Sequence, residues 1–89
     1  MRAVITVIGK DKKGIIAGVS GELAAVGVNI LDISQTTLQE YFAMIMLVDM
    51  TDTTLGFPAI QKKLDIKGKE LEMRIKIQRE DIFNAMHEI

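Results

Sequence analysis

The stretch AVITVIGKDKKGIIAGVSGEL, residues 3–23, decides how this chain folds. Its first six residues are β-branched or apolar on both faces, which is typical of a strand buried on both sides. The apolar positions then adopt a helical spacing, and a glycine follows where the helix would end; they are Ile15, Ile16, Val19, Leu23 and Val26, before Gly27. The stretch therefore predicts a strand, a loop bounded by glycines, and a helix.

Two more strands and a second helix are predicted downstream. Residues 28–38 and 41–50 are extended in character, with Gln39 and Glu40 as the turn between them. Residues 51–54 offer capping hydroxyls and carboxylates for a helix that ends at Gly68. Its apolar face carries Phe57, Ile60 and Leu64.

The last part of the chain predicts an edge element and a tail. From Leu71 to Gln78 apolar and polar residues alternate without exception, which indicates a half-exposed strand at an edge or on an open face. Residues 80–89 begin with two acids and form a short amphipathic helix. Its apolar side carries Ile82, Phe83, Met86 and Ile89.

The order β-α-β-β-α-β predicts an α+β, ferredoxin-like sandwich: a four-stranded antiparallel sheet with two helices on one face, plus a short C-terminal helix. A chain of 89 residues supports one core, so we expect a single domain over residues 1–89, with a core over 1–79 and the helix over 80–89. The third strand is apolar on both sides, so the uncovered face would expose an apolar patch that needs a cover. One side consists of Phe42, Met44, Met46, Val48 and Met50, and the other of Ala43, Ile45 and Leu47. The tail helix, a second copy of the chain, or both could supply it.

Composition excludes several classes of partner. A net charge of −1 gives no overall field for nucleic acid or an anionic membrane. The chain has no cysteine for disulfides or thiolate metal sites, and no apolar run of about 20 residues that would span a membrane. We expect a cytoplasmic protein with neither a nucleic-acid nor a membrane partner, and without a metal or a cofactor.

The loop GKDKKGII, residues 9–16, is the strongest candidate for a site. It has the glycine spacing of a phosphate-binding loop, but two isoleucines stand where Lys and Ser or Thr are required. The single histidine, His87, lies far in sequence from Ser20 and Ser34, so no catalytic triad is indicated and we expect no enzyme.

Two interpretations of this loop remain open. Gly14 at the mouth of the helix, free first-turn amides and Lys10, Lys12 and Lys13 favour an anion such as a carboxylate. Alternatively, Asp11 or a water caps those amides and the lysines form a solvated rim. The face formed by Gly14, Gly18 and Gly21 likewise either admits a partner backbone or ligand closely, or simply tolerates small residues.

Three segments resemble the ACT domain, a small-molecule-binding regulatory module. They are GKDKKGIIAGVS at 9–20, LAAVGVNI at 23–30 and DISQ at 32–35. The form is most similar to the ACT domains of glycine-cleavage regulators and of formyltetrahydrofolate deformylase. One position differs: many family members have proline where this chain has Lys13.

The resemblance implies a non-catalytic homodimer that binds an amino acid or related small carboxylate at its interface and acts on a separate metabolic enzyme or regulator. Transferred to this chain, the loop side of the site consists of Asp11, Gly14 and the amides of Ile15 and Ile16. The strand side consists of Asn29 and Ile30, and the Asn29 amide can both accept from an ammonium and donate to a carboxylate. The rival function is a ligand-free adaptor that docks on another protein.

Overall fold

The computed structural model describes residues 1–87, with side chains as far as Asn84. Four strands and three helices follow the predicted order. They are β1 (Arg2–Lys10), α1 (Ile15–Ala25), β2 (Asn29–Leu38), β3 (Tyr41–Asp49), α2 (Phe57–Leu71), β4 (Met73–Arg79) and α3 (Glu80–His87).

The strands form one antiparallel sheet in the order β2-β3-β1-β4. This arrangement confirms the ferredoxin-like fold, and it confirms that the alternating strand β4 lies at an edge. The other edge strand is β2, which a two-residue turn at Gln39 and Glu40 joins to β3. A register shift between Ile30 and Asp32 bulges the start of β2.

One face of the sheet packs on α1 and α2 and encloses the core. The row Ile15, Val19 and Leu23 is buried in this core, as predicted. Ile16 is different: it was predicted on the same face, but 38% of it is exposed. Successive helical residues are about 100° apart, so Ile16 lies beside the row at i, i+4 and i+8 that contacts the sheet.

Both ends of α2 differ from the prediction. The helix starts after Gly56, which has no side chain to cap it. The Thr53 hydroxyl accepts a hydrogen bond from the Leu55 amide at 3.2 Å in the preceding turn. Gly68, predicted to end the helix, is buried inside it, and α2 continues to Leu71. Glu72 then ends it in a left-handed conformation, φ 58°.

We call the other side of the sheet the open face. Of the two apolar sides of β3, this face carries Ala43, Ile45 and Leu47, and alternation along β1 adds Val4, Thr6 and Ile8. Val4 is 6% exposed although it lies outside the main core cluster, and α3 lies against β1 and β4. The tail helix therefore covers the Val4 end of the open face.

The opposite end of the open face is bare, since 57% of Ile8 is exposed. The predicted contributions of Met86 and Ile89 to the apolar side of the tail helix, and the side chain of His87, lie outside the described residues. Within residues 1–87 the helices are all too short or too polar to cross a membrane.

Candidate functional site

The loop between β1 and α1 is held from both sides. The amide of Asp11 donates to the carbonyl of Glu40 at 2.7 Å, which joins the loop to the β2–β3 turn. The ammonium of Lys12 lies 2.8 Å from Glu72 Oε1, which joins it to the junction of α2 and β4. These two contacts give the loop a defined position at one end of the sheet.

Gly14 sets the start of α1. Its φ of 87° lies in the left-handed region that favours glycine, and it caps the helix without any side-chain hydrogen bond to the first turn. The structure therefore does not show the alternative in which the Asp11 side chain caps these amides. First-turn amides lack intrahelical acceptors, so they remain available to a ligand.

A cavity of about 360 Å³, here called the loop cavity, opens beside this helix start. It brings together four of the six predicted site residues, namely Asp11, Gly14, Ile15 and Ile16. Lys12, one of the three lysines expected to favour an anion here, also lines the cavity. The sequence did not predict its remaining walls, which are Ala17, Gln35, Thr37 and Phe42.

The two other predicted site residues, Asn29 and Ile30, lie elsewhere in the chain. Asn29 is paired with Asp49, which in turn is paired with Arg2, at the end of the sheet opposite to the loop. Thr37 in the cavity wall lies eight positions after Asn29 along β2, or roughly 25 Å at about 3.3 Å per residue. One chain by itself therefore does not bring the loop side and the strand side together.

The glycines of α1 do not form one smooth outer face. A Cβ at Gly18 would lie 3.2 Å from Leu71 Cδ1, so this position faces α2 at close range. A Cβ at Gly14 or at Gly21 would meet no atom of another element within 4 Å, so these two positions are open. Close approach at Gly18 is thus used inside the protein, between the two helices.

The Lys12–Glu72 pair lowers the pKa of the Glu72 carboxyl. The hydrogen bond from Lys12 and its positive charge lower the pKa of Glu72, and Lys10 adds a smaller contribution. A carboxyl whose pKa is lower in the folded than in the unfolded chain stabilises the fold above its unfolded pKa. That contribution disappears as the pH falls through the folded pKa.

We expect Lys12→Met to raise the pKa of Glu72 toward the ordinary glutamate value, since the substitution removes both the hydrogen bond and the charge. The measurement is an NMR titration of the Glu72 side-chain carboxyl. Lys63→Met, at an exposed position on α2, is the control and should leave the pKa of Glu72 unchanged. An unchanged pKa in Lys12→Met would show that the pair does not persist in solution.

Comparison with known proteins identifies the family and agrees with the fold. A family model described as ACT domain matches residues 2–78. A UPF0237 protein from Clostridium acetobutylicum is 58% identical over 89 residues, which is 100% of both chains.

Solved structures share the fold. An ACT domain protein from Streptococcus pneumoniae superposes with a TM-score of 0.80 at 45% identity, over 100% of this chain and 96% of that chain. A formyltetrahydrofolate deformylase from Pseudomonas syringae gives a TM-score of 0.80 at 21% identity, over 88% of this chain and 27% of that one. At that identity the second likeness concerns the fold alone.

Proposed function

Because this chain belongs to the ACT domain family, we propose that it is a non-catalytic regulatory module that acts as a homodimer and binds an amino acid or a similar small carboxylate. The observation that carries the proposal is the loop cavity, where a helix start without a side-chain cap meets polar groups of β2. The ligand site is built from this cavity and is completed by a second protomer.

The chemistry of the loop cavity suits an amino acid. The amides of Ile15 and Ile16 and the positive end of the α1 dipole attract a carboxylate. The Asp11 carboxylate and the Gln35 amide oxygen can accept from an ammonium group, and the Thr37 hydroxyl can donate or accept. A volume of about 360 Å³ lies at the small end of the range for ligand pockets.

The second protomer is expected along β2. This strand forms an edge of the sheet, and all its ten residues except Ile30 are exposed. A long, exposed edge presents unpaired amides and carbonyls to another strand. The Ile33 amide donates to Asp32 Oδ1 at 2.9 Å instead of to β3, so it faces this free edge.

Two-fold pairing of the β2 edges would complete the site. In such a pair the same strand meets itself antiparallel. Overlap over the full length Asn29–Leu38 sets Asn29 of one protomer opposite Leu38 of the other, next to the cavity wall at Thr37. Ile30, which is in register with Val48 on the helix-covered face, would then lie beside the loop cavity of the partner. Asn29, the first residue of the strand, would lie next to it, although both residues are distant from their own cavity.

Regulation follows from this arrangement. A ligand that contacts both protomers binds the paired state more tightly than the separate chains, and so it shifts the population toward that state. A separate metabolic enzyme or regulator that binds only one of the two states would then respond to the ligand concentration.

We expect an amino acid or a similar carboxylate at a hundredfold excess over Kd to stabilise the protein by about 2.7 kcal/mol, or roughly 10 °C in Tm. The measurement is thermal melting against the twenty amino acids, folate derivatives and simple anions. Asn29→Ala should abolish most of the shift because it removes the partner's amide from the site. Asn84→Ala, at an exposed position in α3, should retain it.

The proposal fails if no compound shifts the Tm of a protein that melts cooperatively as a dimer. That outcome would favour the ligand-free adaptor. A shift that survives unchanged in Asn29→Ala would support ligand binding but contradict a site shared between protomers.

A further inference from the structure

Half of the open face carries an uncovered apolar patch. It consists of Ile8, Leu38, Tyr41 and Ile45, which are 57%, 70%, 55% and 48% exposed. These residues belong to three adjacent strands, and the register aligns Tyr41 with Leu38 on one side and with Lys10 on the other. Four large exposed side chains on neighbouring strands form a contiguous surface of the kind that marks an interaction site.

The patch borders a cavity on each side of Ile8 and Tyr41, which line both cavities. Toward β4 it borders a cavity of about 660 Å³, which Lys10, Lys12 and Glu72 also line. Toward β2 it borders a cavity of about 290 Å³, which Leu38, Thr36 and Ala43 also line. The surface therefore offers two recesses for apolar side chains of a partner.

Three cations flank the patch on the β4 side. Arg74 is paired with Ile8 and Lys76 with Thr6 across the β1–β4 ladder, and Lys10 follows Ile8 by two residues, so all three lie on the open face. Within residues 1–84 none of the three takes part in an ion pair. The nearby acid Glu72 is already paired with Lys12.

The other half of the same face already holds a helix of matching chemistry. The first turn of α3 contains Glu80 and Asp81, and Ile82 and Phe83 follow. Arg2, on the open face beside Val4, binds Glu80 with two hydrogen bonds of 3.0 and 2.7 Å. An acidic amphipathic helix thus lies on apolar residues of this sheet and pairs with an arginine at its rim.

We propose that the apolar patch binds an acidic amphipathic helix of another protein, in the manner of α3 on the Val4 half. The helix places apolar side chains in the two recesses and carboxylates against Lys10, Arg74 and Lys76. This site differs from the loop cavity, which lies toward the helices of the sandwich. The two share Asp11 and Lys12 as walls, so the docked helix contacts the loop that would hold the ligand.

The probe for this proposal is a stapled helical peptide with leucines along one face and glutamates along the other. We expect it to bind the full chain and to shift the NMR signals of Ile8, Tyr41 and Ile45. The double variant Arg74→Glu/Lys76→Glu should weaken binding by about tenfold or more, because two charge pairs become repulsive. Lys62→Glu/Lys63→Glu makes the same change in net charge on exposed α2 and should bind as the unaltered protein does.

Four results would overturn the proposal. The first is equal binding of a matched peptide with lysines in place of the glutamates. The second is a set of shifts confined to α1 and α2. The third is co-sedimentation of the protein with phosphatidylglycerol vesicles that is lost in Ile45→Glu, which would identify a membrane as the partner. The fourth is a lower molecular mass by sedimentation for Ile45→Glu than for the unaltered protein, both without peptide. That result would mean that a second copy of the chain covers the patch. None of these tests requires a small ligand, so their failure is separate from failure of the proposed function.

Discussion

Gly68→Ala is expected to destabilise the fold by about 3 kcal/mol or more, although it adds a single methyl group. A Cβ at Gly68 would lie 2.6 Å from the carbonyl oxygen of Met73. The obstacle is backbone of β4, which cannot turn aside as a flexible side chain could. Relief requires α2 to move away from the sheet and opens the core around Leu64 and Ile75.

Gly21→Ala is the matched control, since it adds the same methyl group to the interior of a helix. No atom of another element lies within 4 Å of where its Cβ would be, and its φ is not in the left-handed region. It should stabilise the protein by about 0.5–1 kcal/mol through helix propensity and a less flexible unfolded chain. Urea denaturation of both variants at one protein concentration measures the difference. Equal stability of the two would contradict the close packing of α2 on β4.

Gly68 also shows which part of the fold could not be predicted from the sequence. The order of elements followed from local hydrophobic patterns: continuous apolar runs in β1 and β3, a helical spacing in α1 and a strict alternation in β4. A glycine near the end of a helical pattern is equally suited to a cap and to a close contact. Only the position of Met73 in the sheet decides between them. The residue that does end α2, Glu72, carries no sequence signal for a left-handed conformation.

The loop side of the candidate site was predictable because its residues are consecutive and their chemistry is visible in the sequence. Gln35 and Thr37 were not found, because their place in the cavity wall depends on strand register. The bulge after Ile30 turns Ile33, Gln35 and Thr37 toward the helix-covered face, in register with Met46, Met44 and Phe42. Nothing in the residue types of β2 marks that shift.

Gln35→Pro is expected to convert the proposed homodimer into a folded monomer. The Ile33 amide points away from β3, and alternation along an antiparallel strand gives the Gln35 amide the same direction. Proline there removes a donor on the free edge and leaves the β2–β3 ladder intact. By symmetry each dimer loses two hydrogen bonds and gains two rings at the contact, which weakens association by about 3 kcal/mol, or roughly hundredfold.

Two further variants separate this effect from the others that a substitution in β2 can have. Gln35→Ala removes the side chain but keeps the amide, so the ligand-free dimer should persist. Ser34→Pro removes an amide that alternation directs toward Ile45 of β3, and it should destabilise the fold itself by about 3 kcal/mol. Sedimentation equilibrium gives the association state and urea denaturation gives the fold stability. A Gln35→Pro protein that remains dimeric would show that the protomers meet somewhere other than the β2 edge, and Asn29 would then have no route to the loop cavity.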